Sequence, residues 1–384
     1  MKKWRKAVSL LVCAAYVLAL TGCWNYKDIE NMSIAIGAAI DRTEDGQYLL
    51  TTELAHPAAD GKGLESVAVE SKGKTIFDCV RNTVKKLENK LYWAHMQVAI
   101  ISEEVAREGI LPILDFFVRD AEPRLTIHMV VSREKTAKSM FDPPGLTSTV
   151  RSQELEAMLH SSEEVAAKVP TPELYKVVND ACSEGICISL PSVRIVKNEG
   201  RDTSELAGLA VFHHDKLVGY LDDEETKAYL FATNQIKGGL LTLQVDTPKM
   251  QRPDLTLEIN ESKTSVTPKT ENGSLSMEVK IEVKAALGEN QAGIDTSKED
   301  AVKALQAAAE ASLKENVQNT ITRVQKEYNA DIFGFGLKVK QDMPQEWKRI
   351  KDNWFSGLYQ NLPVDVKAKI EIVGSGLLQK PLEQ

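Results

Sequence analysis

The chain has 384 residues and a formal charge of −8, with 47 Lys and Arg against 55 Asp and Glu. Such an acidic body does not neutralise nucleic-acid phosphates, and it exerts no polybasic pull on an anionic lipid surface. Its 43% hydrophobic content suffices for ordinary cores, five cysteines are too few for a disulfide scaffold, and the length implies two or three domains.

The first element is an export signal. Lys2, Lys3, Arg5 and Lys6 precede an uncharged apolar run from Ala7 to Leu20. The run is shorter than the ~20 residues of a permanent spanning helix and fits the apolar region of a secretory signal. It ends in Leu20-Thr21-Gly22-Cys23, the bacterial lipoprotein pattern. Small residues let a signal peptidase close on the bond before Cys23, and the thiol is the nucleophile that takes up a diacylglyceryl group. Residues 1–22 are therefore read as a signal peptide recognised through Leu20, Thr21 and Gly22. The mature chain is expected to begin at lipid-bearing Cys23, outside the cytoplasm. Loss of the signal deepens the charge to −12, so attachment rests on acyl chains, each buried CH₂ contributing about 0.8 kcal/mol. Beyond Cys23 no uncharged apolar stretch approaches the length of a spanning helix.

An N-terminal α/β domain is expected over 23–142. Met32, Ile34 and Ile36 alternate with smaller residues, Asp45-Gly46 marks a turn, and residues 48–54 return as the second strand of a hairpin. Ile76, Val80, Val84 and Leu87 have helical spacing. Residues 96–101 form an apolar strand, and Ser102 caps a helix with Glu103 and Glu104 in its first turn. Another helix runs through Ile113, Leu114 and Phe117, and residues 125–131 form the next strand. Asp142-Pro143-Pro144-Gly145 is a strong break and opens a middle α+β domain over 143–247. It contains helices within 148–182, strands at 186–196, 205–212, 216–221 and 239–245, and a helix at 224–233.

The C-terminal domain, 248–384, is read as a mainly antiparallel sheet packed on a long amphipathic helix. Leu255, Leu257 and Ile259 alternate with polar residues, as do Met277, Val279, Ile281 and Val283, and again Val364, Val366, Ala368 and Ile370. Val302, Leu305, Ala309, Leu313, Val317, Ile321, Val324 and Tyr328 form one stripe on a helix over 299–328. Trp347, Ile350 and Trp354 share a face if that segment is one helix. The fold class is thus α+β, with three successive sheet-plus-helix units.

Reactive chemistry is sparse. Cys182 and Cys187 are close enough for a small disulfide loop, although such loops are often strained and two free thiols are the commoner outcome. Gly73-Lys74-Thr75 resembles the end of a phosphate loop, but the required earlier glycine is Ala68. No serine stands in Gly-x-Ser-x-Gly. The six histidines are scattered apart from His213-His214, whose adjacency on a strand points them apart; His95 is read as fixing its turn. No metal, cofactor or catalytic residue is expected.

Several blocks together resemble the C-subunit lipoproteins of spore germinant receptors, the Ger(x)C family. They are Cys23-Trp24 with Asp28-Ile29 and the strand Ile34-Ala35-Ile36-Gly37-Ala38-Ala39-Ile40-Asp41; Gly73-Lys74-Thr75-Ile76-Phe77; and Leu91-Tyr92-Trp93-Ala94-His95-Met96. Next come Glu103 to Ile110, Phe117-Val118-Arg119-Asp120 and Arg124. The last are Asp331-Ile332-Phe333-Gly334-Phe335-Gly336, Pro344, Trp347, Trp354 and the strand 364–373. The resemblance implies a non-enzymatic, lipid-anchored subunit on the outer face of the spore inner membrane. Its partners would be a transporter-like A subunit and a B membrane subunit of the same receptor. Arg119 and Arg124, in a loop too charged to be core, and Trp354 are the candidate partner contacts. A solute-binding lipoprotein feeding a transporter is the alternative; three unlike units in series argue against its usual two lobes around a cleft.

Overall fold

A computed structural model describes residues 2–19, 32–58, 61–244 and 254–374. Leu20, Thr21, Gly22 and Cys23, with Trp24, Asp28 and Ile29, lie outside the described residues. The N-terminal apolar segment forms helix α1 (Lys2–Ala19). No described helix is long and apolar enough to cross a membrane.

The described residues form two sheets, the first of nine strands. β1 (Met32–Arg42) pairs antiparallel with β2 (Tyr48–Pro57) across the turn at Gly46, whose φ of 76° a glycine adopts without strain. β3 (Leu64–Gly73) follows β2 on the outside. Helix α2 (Ile76–Thr83) and the short β4 (Lys90–Tyr92) then bring the chain to the other edge of β1. There β1 also pairs in parallel with β5 (Val98–Ser102). Helices α3 (Glu103–Glu108) and α4 (Leu111–Arg119) lead to β6 (His128–Ser132), parallel to β5. Every residue of β5 and β6 is buried, as the centre of a sheet covered on both faces requires. One face carries α2, α3, α4 and α6 (Leu174–Cys182), with Ile113, Phe117 and Val177 in one core with Ile40 and Ile101 of the sheet. The other carries α5 (Arg151–Ser161), with Leu155 and Leu159 against Val98, Ile100 and Val130.

Residues 142–145 do interrupt regular structure, yet the sheet continues beyond them. β7 (Ser189–Asn198) pairs with β6, and β8 (Arg201–His213) and β9 (Lys216–Leu221) add antiparallel beyond it. The expected cut at 142/143 therefore falls inside one sheet: the helical connection carrying α5 and α6 is a crossover between β6 and β7.

Helix α7 (Asp223–Ala232), closed at its start by an Asp222–Glu225 capping box, leads into the second sheet. That sheet runs β10 (Leu240–Gln244), β11 (Asp254–Glu271), β12 (Ser274–Asn290), β13 (Val364–Gly374). β10, expected in the middle unit, thus belongs here. Asn272-Gly273, both at positive φ, turns the long β11–β12 hairpin. The sheet is mainly antiparallel, as expected, with one parallel pair, β12 with β13. Helix α8 (Glu299–Arg323) buries Leu305, Ala309, Leu313, Val317 and Ile321 against it. A wider helical turn over Val324–Tyr328 continues the helix to the expected end at residue 328, with Val324 buried in the same stripe. α8 also closes the sheet edge: Glu310 Oε1 accepts from Ile370 N at 2.9 Å and Gln306 Nε2 donates to Ile370 O at 2.7 Å.

Cys182 and Cys187 do not form the considered disulfide: both are free thiols. Cys182 is exposed at the end of α6, whereas Cys187 is buried beneath the turn at Gly185. Burial pushes the Cys187 thiol up to about 12, which makes it inert at neutral pH.

Candidate functional site

Most of the residue blocks that carry the family resemblance prove to be joints of the fold. A Cβ on Gly37 would stand 1.8 Å from Ser152 Oγ, so this strand position admits only glycine against the start of α5. Glu53, buried on β2, accepts from Arg151 N and Ser152 N, both at 2.8 Å, and so caps α5 from across the sheet. Asp41 accepts from Ala137 N at 2.6 Å and Lys138 N at 3.0 Å. Gly73 to Phe77 is a helix entry: Thr75 caps α2 by accepting from Asp78 N, and a Cβ on Gly73 would meet Cys79 N at 2.7 Å. No phosphate loop is needed to explain it.

Asp331 is the centre of the next joint. Its Oδ1 accepts from Phe335 N at 3.0 Å, and its Oδ2 from Gly336 N at 2.7 Å and Trp354 Nε1 at 3.2 Å. Its backbone carbonyl accepts from Cys187 N at 2.8 Å, and Gly185 O accepts from Leu337 N at 2.7 Å. Gly185 and Gly336 touch backbone to backbone: a Cβ on Gly336 would lie 2.7 Å from Gly185 Cα. The segment before β7 is thereby clamped to helix α9 (Phe335–Asp342). Burial raises the Asp331 carboxyl to about 7, against the pull of the donors around it, Gly336 and Phe335 first.

Trp354, expected as a partner contact, is not at a surface. It is 1% exposed and fills the core beside Tyr359, because its N–H is required by Asp331. Trp347 meets it edge to face at 5.4 Å and donates to Glu184 Oε2 at 3.1 Å. The two tryptophans do not share one helix. α10 (Pro344–Ile350) ends before Trp354, and a tight turn and Gly357 at φ 123° follow.

Arg119 is exposed, as expected of a partner contact, and pairs with Asp115 one turn back at 2.8 Å. It edges a groove of about 240 Å³ between α2 and α4, lined by Phe77, Val84, Trp93, Lys90 and Glu122. Phe77 and Val84 are both more than two-fifths exposed, and Arg81 lies over the Phe77 ring at 4.9 Å. Trp93 is buried, and its Nε1 has no hydrogen-bond partner among the described residues. The groove thus offers apolar surface and cations. Arg124 does not join it: it lines a separate cavity with His95, His128 and His160. The histidines read as scattered therefore converge in part. The signal available was Glu156 and His160 at helical i,i+4 spacing; the strand order that brings His128 beneath them was not legible.

Two family profiles match the chain: the spore germination protein N-terminal domain over residues 25–195, and the spore germination B3/GerAC-like C-terminal region over 207–376. Spore germination protein B3 of Bacillus subtilis (strain 168) is 30% identical over 348 residues, covering 88% of this chain and 90% of that protein. The chain belongs to the GerAC-like family of spore germination proteins. Spore germination protein KC of the same organism is 24% identical over 403 residues, covering 99% and 98% of the two chains. The crystal structure of the GerBC protein superposes with a TM-score of 0.56 over 90% of this chain and all of that one; at 22% identity the likeness bears on fold. As a GerAC-like protein the chain is a germinant-receptor subunit without enzymatic activity.

Proposed function

We propose that this GerAC-like subunit is held by a diacylglyceryl group on Cys23 to the outer face of the spore inner membrane. There it is bound by the A and B membrane subunits of one nutrient receptor. The observation that carries the proposal is Leu20-Thr21-Gly22-Cys23, placed directly before a chain that matches the germination family from residue 25 onward. The contact with a membrane subunit runs through the α2–α4 groove. Phe77 and Val84 supply apolar surface there, and Arg119 supplies a planar donor fork. Arg124 lies outside this contact.

The test is a photo-crosslinking residue at position 77 of the full chain in sporulating cells, together with Cys23→Ala. The crosslinker is expected to capture the A or B subunit, and Cys23→Ala to leave the chain unprocessed or released, with a weak germination response. Intact-mass analysis that finds Cys23 unmodified in spore membranes would remove the anchor. Absence of any membrane-subunit adduct at position 77, with adducts elsewhere on the surface, would move the interface.

A further inference from the structure

Three side chains outside the groove converge. His128, Glu156 and His160 each offer one ligand atom, and these atoms all lie within 4.8 Å of one another. Glu156 and His160 stand one turn apart on α5, with His160 Nε2 3.1 Å from Glu156 Oε1. His128 is the first residue of β6, and its ring meets that of His160 at 5.3 Å and a right angle. All three line a cavity of about 270 Å³ that also holds Gln97, Arg124 and Glu173. Among the described residues two buried polar atoms of its lining lack a hydrogen bond of good geometry: His128 Nδ1, on a residue only 6% exposed whose backbone neighbour is Pro172, and Gln97 Oε1. Leaving such atoms unsatisfied costs free energy, and native structures rarely do so without a ligand or water at hand.

We propose that His128, Glu156 and His160 bind a divalent transition-metal ion of the zinc type. Two imidazoles and one carboxylate suit a borderline cation, whereas Ca²⁺ and Mg²⁺ favour oxygen ligands throughout. Donors about 2.1 Å from a tetrahedral ion stand roughly 3.4 Å from each other. His160 and Glu156 already have that spacing. Their side chains, 52% and 29% exposed, have room to turn toward His128. Three protein ligands leave one position open to the cavity, where Gln97 Oε1 supplies an acceptor for a metal-bound water. The ion would tie α5, on one face, to β6 in the centre of the first sheet.

The test uses the full chain in detergent, freed of metal by chelator and titrated with Zn²⁺ alone and Co²⁺ alone. One equivalent of Zn²⁺ is expected per chain, with a rise in melting temperature that chelator reverses. Co²⁺ should give the visible absorption of a four-coordinate site, displaced by Zn²⁺. His160→Gln and Glu156→Gln change exposed or half-exposed ligands and should keep the fold; each is expected to weaken Zn²⁺ binding at least tenfold and to abolish the cobalt band. His56→Gln, on an exposed histidine away from the cavity, should leave both unchanged. The site is overturned if no stoichiometric Zn²⁺ binds, or if His160→Gln binds as tightly as wild type. A sulfur-to-cobalt charge-transfer band would place the ion on a cysteine and overturn it equally.

Discussion

Asp331 is a carboxyl that folding removes from water. Its ordinary value of 3.8 rises to about 7 in the native chain, with burial the largest cause. The native state therefore holds a proton that the unfolded state has already released between about pH 4 and 7. Stability linked to this group is present below pH 4 and declines as pH rises toward 7. Asp331→Asn cannot ionise but turns an amide toward donors, so about 1–3 kcal/mol of stability should be lost at low pH. The gap between wild type and variant should narrow as pH rises from 4 to 7. Urea unfolding of both at several pH values measures this; a constant gap would mean that Asp331 is ionised throughout. Nothing in the local sequence announces the behaviour of this residue. Its motif with Gly334 and Gly336 is visible, but its burial depends on Gly185 and Trp354, which reach it only through the tertiary fold.

At the scale of elements, the tryptophan segment divides into two roles. Trp354 is fully enclosed and donates to Asp331, so Trp354→Ala should cost about 3–5 kcal/mol by opening a cavity. Trp354→Phe keeps most of the volume and loses the donor, so a smaller loss, near 1–2 kcal/mol, is expected. Thermal or urea unfolding checks both; an unchanged melting temperature for Trp354→Ala would contradict its place in the core. The elements themselves were largely legible. Period-two alternation identified β11, β12 and β13, and the apolar stripe identified α8, because each buries one face only. Trp347, Ile350 and Trp354 have the spacing of one helix face and are all buried, yet the helix ends at Ile350, before Trp354. Spacing reports burial, and a tight turn can satisfy it as well as a helix does.

At the scale of the whole molecule, Arg119 separates stability from assembly. Its pair with Asp115 is exposed, with side chains 77% and 59% accessible, and exposed pairs contribute about 0–1 kcal/mol. Arg119→Ala should therefore leave the melting temperature and lipidation unchanged while reducing co-purification of the membrane subunits. Arg124→Ala, in the other cavity, should not reduce it. If both variants assemble normally, the α2–α4 groove is no interface. The sequence reading placed the two arginines in one charged corner, since only a few residues separate them; the turn between α4 and β6 sends them to different cavities. It also expected a division at residue 142, where the proline break is genuine, because strand order across a crossover leaves no local trace.

That strand order has a consequence for how the molecule can be made. β1 lies inside the first sheet; β2 and β3 add on one side of it, and β4 and β5, then β6, β7, β8 and β9 extend the other in order of appearance. The second sheet grows from β10 to β13 in the same way. No strand has to be threaded between two that are already paired. A polypeptide that emerges amino-terminus first can lay down each strand against a neighbour delivered before it, so that no strand waits for a later one to open a place for it.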